Sequence, residues 1–217
     1  MNLTKIMIAA TMLLASVANA GHHNQADKTY NITVTNITKN VLFTPLLAVT
    51  HTKAVSLYEI GAAPSGELAD MAEGGNIMSL VDELSMSDHV TSTADSGGLL
   101  FPGDSVTIEI TGKKRDMLSL VAMLLPTNDT FVGLNGVRLP HRGSATYFAK
   151  AYDAGSETND ELCANIPGPQ CGGDPFSPED MGEGYVYPSP GIDGEADLSR
   201  ASYSWAGAVA KVVITKM

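Results

Sequence analysis

The chain predicts a mostly β fold, an antiparallel β-sandwich with a short helical insertion. Three observations carry that prediction. Apolar and polar residues alternate with period two over 29–37 and 105–111, the pattern of a strand with one buried face. Strongly apolar stretches at 41–51 and 117–125 read as a strand buried on both faces near its middle and as a central strand, and the apolar run 208–214 closes the chain. Turn signals rich in Gly, Pro and Asp separate these segments at hairpin spacing, and the pattern becomes helical between 57 and 84.

Each element follows from its residues. In 29–37, Tyr30, Ile32 and Val34 face one way and Asn31, Thr33 and Thr35 the other. Residues 41–51 read as a second strand. Ser65 is an N-cap candidate for a helix running through Glu73, and Gly74-Gly75 is its stop signal. Residues 76–84 add another turn or two of helix. Pro102-Gly103-Asp104 marks a turn, after which Val106, Ile108 and Ile110 share a face. Gly112-Lys113-Lys114-Arg115-Asp116 is a charged hairpin tip leading into a central strand over 117–125. Further strands are expected at 130–139 and 145–152, then a long loop over 157–184 rich in Gly, Pro and acids. The segment 201–214 closes the chain, with Tyr203 and Trp205 expected in the core. The result is seven or eight strands in one domain, 21–217, with no internal repeat.

The first twenty residues read as a cleaved leader. Lys5 supplies the positive start, 6–17 is apolar, and Ala18-Asn19-Ala20 is a cleavage-type site. The apolar run is short for a membrane span, so an exported chain, secreted or periplasmic, is expected to begin near Gly21. A hydrophobic share of 44% against 17% charged residues marks a globular chain rather than a disordered one. Loss of Lys5 with the leader takes the formal charge from -11 to -12. Such a charge argues against nucleic acid and anionic membranes as partners and is compatible with cations. For most of the acids, solubility is the simpler role. Cys163 and Cys171 are the two cysteines, close together in a Gly/Pro-rich loop of an exported chain, and a local disulfide is expected. The tight Cys spacing and His partners of a zinc site are absent.

Two stretches carry the functional signal. Pro126-Thr127-Asn128-Asp129-Thr130-Phe131-Val132-Gly133 and Tyr152-Asp153-Ala154-Gly155-Ser156-Glu157 each deliver acids where an apolar strand gives way to a loop. Carboxylates gathered at one end of a sandwich suit a hard cation such as Ca²⁺, which takes six to eight oxygen ligands. Asp129, Asp153 and Glu157 would bring three negative charges to one dication, with Gly133 and Gly155 permitting tight turns. Acidic loops are also common in acidic proteins, so residue types alone leave both readings open.

These stretches belong to an ordered series that resembles the spondin N-terminal (F-spondin/mindin-type) domain family. Phe43-Thr44-Pro45-Leu46 and His51 resemble its early strand. Ser65-Gly66-Glu67-Leu68 with Met71-Ala72-Glu73-Gly74 resembles its S-x-G-L-x-x-x-A-E-x-G helix. The segment 126–133 resembles P-S-P-D-W-F-V-G, and 152–157 resembles Y-D-A-G-T-D. The series covers nearly all of the chain beyond the leader, and the leader suggests a stand-alone bacterial-type member. The resemblance implies a C2-like β-sandwich that holds calcium, or another divalent cation, at one end. Asp129, Asp153, Glu157 and Glu109 are the implied metal ligands. Glu157 stands where the family has Asp, the hairpin that carries Glu109 is one residue longer, and Thr130 replaces the family's Trp.

The function expected from this is a secreted, non-enzymatic recognition or adhesion module for a surface or matrix protein or a glycan. The alternative is a metal-assisted extracellular hydrolase using His51, His141 and the same carboxylates. No G-x-S-x-G or H-E-x-x-H motif supports the alternative. His51, at the end of an apolar run, reads as a structural residue and His141 as a turn residue.

Overall fold

The computed structural model describes residues 27–176 and 182–217; the expected leader lies outside them. In chain order the strands are β1 (Lys28–Asn36), β2 (Leu42–Phe43), β3 (Leu47–His51), β4 (Val90–Asp95), β5 (Ser105–Gly112), β6 (Met117–Leu125), β7 (Thr130–Arg138), β8 (Ser144–Asp153), β9 (Tyr187–Pro188) and β10 (Ala208–Lys216). The helices are α1 (Gly66–Gly74), α2 (Met78–Ser85) and the single turn α3 (Arg200–Tyr203). All strand pairings are antiparallel.

The strands follow one hydrogen-bonded path, β4-β3-β6-β7-β8-β10-β1-β5, with β2 added to β6 and β9 to β8. The end strands β4 and β5 approach each other, so the sheet is nearly closed on itself. The architecture is therefore mostly β and antiparallel, as the alternation predicts, but its strands form one continuous path rather than two separately paired sheets.

The pleat explains what lies inside. Tyr30, Ile32 and Val34 of β1 point into a core shared with Ile108, Ile110, Leu120, Val132, Ala151 and Val212. A second apolar layer lies on the opposite face of β3, β6 and β7. There Val49, Val121 and Phe131 are covered by Leu68, Met71 and Ala72 of α1 and by Leu80 and Leu84 of α2. The β6 run is apolar apart from Ser119 because both of its faces are buried. Helix α1 starts where the caps predict: the Ser65 side chain accepts from the Leu68 amide, and Gly75 ends the helix at φ +69°.

Three expectations need correction. Residues 41–51 are two strands, broken at 44–46 around Pro45, whose ring nitrogen has no hydrogen to donate to a ladder. The strand β4 has no counterpart in the reading above, because its residues are all half-buried or exposed and lack an apolar stripe. Tyr203 and Trp205 precede the last strand and are half-buried at the edge of the core rather than inside it.

β10 occupies the slot between β1 and β8. It pairs with β1 from Tyr30↔Lys216 to Asn36↔Ala210 and with β8 from Ala208↔Lys150 to Thr215↔Ser144. The first and last strands of the chain are thus neighbours.

At the end of β1, Asn36 is fully buried and all its polar groups are used. Its amide donates to the carbonyls of Val41 (2.8 Å) and Leu100 (3.1 Å). Its carbonyl accepts from the amide and hydroxyl of Thr38. Asn36→Ala leaves the Leu100 carbonyl without that buried donor and is expected to cost about 2–3 kcal/mol of stability, read from the denaturant midpoint. Asn36→Asp, which lacks the amide donor and buries a charge, should cost at least as much.

Candidate metal centre

β6 ends at Leu125, and the turn 126–129 carries the chain into β7. The Thr127 hydroxyl shapes it by donating to the Leu124 carbonyl (2.6 Å) and accepting from the Thr130 amide (3.2 Å). The turn leaves Asp129 immediately before Thr130, and Thr130 pairs with Asp153 at the last rung of β7 and β8. Two carboxylates are thereby brought to one rim of the sheet by strand register. Both are fully buried.

The loop after β8 wraps over Asp129. Its Oδ2 accepts from the amides of Ser156 (2.8 Å) and Glu157 (3.0 Å) and from the Ser156 hydroxyl (3.3 Å). The Asp129 carbonyl accepts from the Ala154 amide (3.3 Å). Gly155 makes this wrap possible. Its φ is +69°, and a Cβ there would overlap the main chain of Tyr185. Gly133 has a different role from the turn expected for it. It lies within β7, and a Cβ there would run into the rings of Tyr58 and Tyr152.

Asp153 is held by its own loop: Oδ1 accepts from the Gly155 amide (2.9 Å) and Oδ2 from the Asn159 side chain (2.8 Å). Asn159 also donates to the Tyr187 hydroxyl (3.2 Å) on β9. Asp129 Oδ1 is buried and meets no hydrogen-bond donor. The neighbouring Asp153 carboxyl becomes a partner for Asp129 only when one of the two carries a proton.

Burial is the largest influence on Asp129 and the Asp153 charge the next. They push its carboxyl up to about 8, against the opposing pull of the Glu157 and Ser156 amides. The Asp153 carboxyl is also raised, again chiefly by burial, with Asn159 and Gly155 pulling the other way. Burial followed by the Asp153 and Glu183 carboxylates pushes the Tyr187 phenol up, so it stays a neutral hydroxyl.

Of the four expected ligands, the structure brings together Asp129, Asp153 and the Glu157 segment. Glu157 is itself buried, and its amide is part of the collar around Asp129. Glu109 does not join them. It is exposed on β5, opposite Asn31 of β1, with β1, β10 and β8 between it and β7. Among the described residues no group of three or more His, Cys, Asp or Glu side chains is close enough to hold an ion as it stands. The site is a carboxylate pair with an amide collar.

Sequence reading missed the residues that support this pair. Asn128 donates to Asp160 (3.0 Å) and accepts from the Glu161 amide (3.2 Å). Glu161 sits at φ 54°, unusual for a residue with a Cβ, and is buried. Its two oxygens take the amides of Asp193 (2.5 Å) and Gly194 (2.8 Å). The dense polar run 158–161 directly after the second acidic stretch was the available signal. The Cys163–Cys171 disulfide follows, and the Cys163 amide donates to Asp197 (2.9 Å).

The histidines lie elsewhere. His51 is fully buried at the opposite end of the sheet, donating through Nδ1 to the Thr52 carbonyl (2.7 Å), with Nε2 at 2.7 Å from the Ser119 hydroxyl. It is a structural residue. His141 is an exposed residue of the loop after β7.

Fold and site together define a β-rich domain with a buried acidic rim. Residues 16–159 match the Spondin_N family model, well over half of the chain, and the chain belongs to the spondin N-terminal domain family. The match spans Asp129, Asp153 and Glu157. The family is an extracellular domain type, and the disulfide fits an exported chain. A search of curated proteins finds no match. No helix among the described residues is long and apolar enough to cross a membrane.

A carboxyl raised from 3.8 to about 8 on folding favours the folded state while protonated. That contribution is complete below about pH 4 and is lost as pH rises through about 8. In the presence of a chelator, the melting temperature is therefore expected to fall between pH 5 and pH 8. Asp129→Asn should flatten that fall. An equally steep pH profile in the Asn variant would show that another group is responsible.

Proposed function

We propose that the domain is a secreted, non-enzymatic recognition or adhesion module whose acidic rim binds a divalent cation, calcium first among them. The observation that carries this is Asp129 Oδ1, a buried carboxylate oxygen without a donor beside a second buried carboxyl. Two buried acids side by side are costly in the absence of a proton or a cation. A dication at that oxygen would replace the missing donor and screen the pair.

Asp129 and Asp153 would be the central ligands, with Glu157 entering from the collar and carbonyls or water completing the shell. Glu109 is no part of this proposal. When bound, the cation would supply a positive centre with open coordination positions for an acidic group or sugar hydroxyl of a partner. The chain's own residues orient that centre: the Ser156 and Glu157 amides hold one Asp129 oxygen in place, and Asn159 holds Asp153. A hydrolase in which His51 or His141 acts with these acids is disfavoured by their separation. His51 pairs with Met117 at the start of β6, whereas the acidic rim lies beyond the other end of that strand.

Addition of Ca²⁺ to the chelated mature protein is expected to raise its melting temperature by several degrees, since a ligand bound only to the folded state stabilises it. Asp153→Ala should remove that gain. The absence of a shift with Ca²⁺, Mg²⁺ and Mn²⁺ alike would rule the metal site out. Metal-dependent turnover in a hydrolase screen would rule out a purely binding role.

A further inference from the structure

The cations of this acidic chain are gathered at one end. Beyond Lys5 the sequence has twelve Lys and Arg residues. Eight of them lie at the end of the fold opposite Asp129, on or beside the β5–β6 hairpin tip, the segment after β3 and the β7–β8 loop. β7 spans the molecule between the two ends. It leaves the acidic rim at Thr130 and reaches Arg138 eight residues on, roughly 26 Å away for an extended strand.

A cavity of about 540 Å³ opens at this basic end. Lys53, Lys114, Arg115 and Arg138 line it and are exposed, with Thr52 and His141 as further polar groups and Met117 and Leu139 as apolar wall. One acid, Asp116, also lines it. That carboxylate is buried and turned to the hairpin, where its Oδ2 accepts from the Lys113 amide (2.8 Å). Among the described residues, none of the four lining cations is in an ion pair. The other four cations flank the cavity. Lys28 pairs with Gly112, next to Lys113 at the hairpin tip, and Lys216 donates from Nζ to the His141 carbonyl (2.9 Å), beside Arg142.

We infer that this cavity and its flanks bind an acidic polysaccharide, with one carboxylate or sulfate group seated among Lys53, Lys114, Arg115 and Arg138. The volume suits a single sugar-sized unit. The flanking cations extend the positive surface to both sides, as a chain of repeated anions requires. Two other polyanions fit less well. No Phe, Tyr or Trp side chain lines the cavity, and the single ring there, His141, is too little to stack a run of nucleobases. A flat anionic bilayer would meet the field of a molecule whose net charge is strongly negative, whereas a thin chain contacts only the basic end. This surface is independent of the acidic rim, and its ligand is bound without metal.

The test is retention of the mature protein on immobilised heparin and on immobilised polygalacturonate, in chelator and at low salt, with elution by NaCl. Retention on at least one of these columns is expected even though the sequence pI is about 4.7. Lys114→Gln/Arg115→Gln/Arg138→Gln should weaken binding roughly tenfold, because surface charge attraction is short-ranged in salt. Lys150→Gln/Arg200→Gln/Lys211→Gln, with the same change in net charge at other sites, should leave it unchanged. All six side chains are exposed, and melting curves verify that both variants fold. Passage of the wild-type protein through both columns would overturn the inference, as would equal loss in the two variants. Equal or tighter binding to a single-stranded oligonucleotide or to phosphatidylglycerol vesicles would overturn it in favour of that partner. Loss of the calcium response with retention intact would count against the acidic rim alone.

Discussion

The organising constraint at the acidic rim is that the Asp129 carboxyl is buried and must be satisfied from the loop that follows β8. Two consecutive amides and a hydroxyl converge on one of its oxygens. That convergence needs the left-handed turn at Gly155, and the turn in turn needs the close approach of Tyr185 that only a glycine allows. The same loop positions Asn159 on Asp153 and leads to Glu161, whose carboxylate gathers the amides of Asp193 and Gly194. One acid thus sets the course of a long segment with little regular structure. A loop of this length inside a compact domain has to be tied by polar contacts, since it lacks a ladder of its own.

The second oxygen of Asp129 is what the proposed cation site rests on. Glu161 shows the contrast. Both of its oxygens are met by amides, so its burial is compensated. Asp129 has one oxygen met and one left beside Asp153. Buried polar atoms are almost always paired, and an exception calls for an explanation such as a bound ion. The distinction between the two acids rests on hydrogen-bond geometry and is invisible in their residue type.

What could be read from the chain and what could not divide along a physical line. Strands with a strong local pattern, β1, β5 and β6, and the capped helix α1 were legible because period, apolar content and caps are local properties. Strand β4 was not, because its residues earn their place by pairing with β3 across long sequence separation. The order of strands depends on non-local pairing and was equally out of reach. At the rim, Asp129 and Asp153 were legible as acids following apolar strands. Glu109 was carried over by resemblance, and only the pairing of β5 with β1 shows that it lies on another part of the surface. Asn159 and Glu161 lie in a polar run that marks the segment, but their roles, like that of Tyr187, could not be assigned beforehand, since the path of the turns that bring them to their partners is not a local property.

The position of β10 has a consequence for how the molecule is made. Strand β1 is made long before β10, yet one of its two edges remains bare until β10 arrives to cover it. Closing such a distant pair is slow, because a long loop must be ordered before any contact rewards it. During that interval β1 and β8 each expose a row of free main-chain groups, the kind of template on which other chains pair. The sheet is thus complete only once β10 is available, and a nascent chain must be shielded until then.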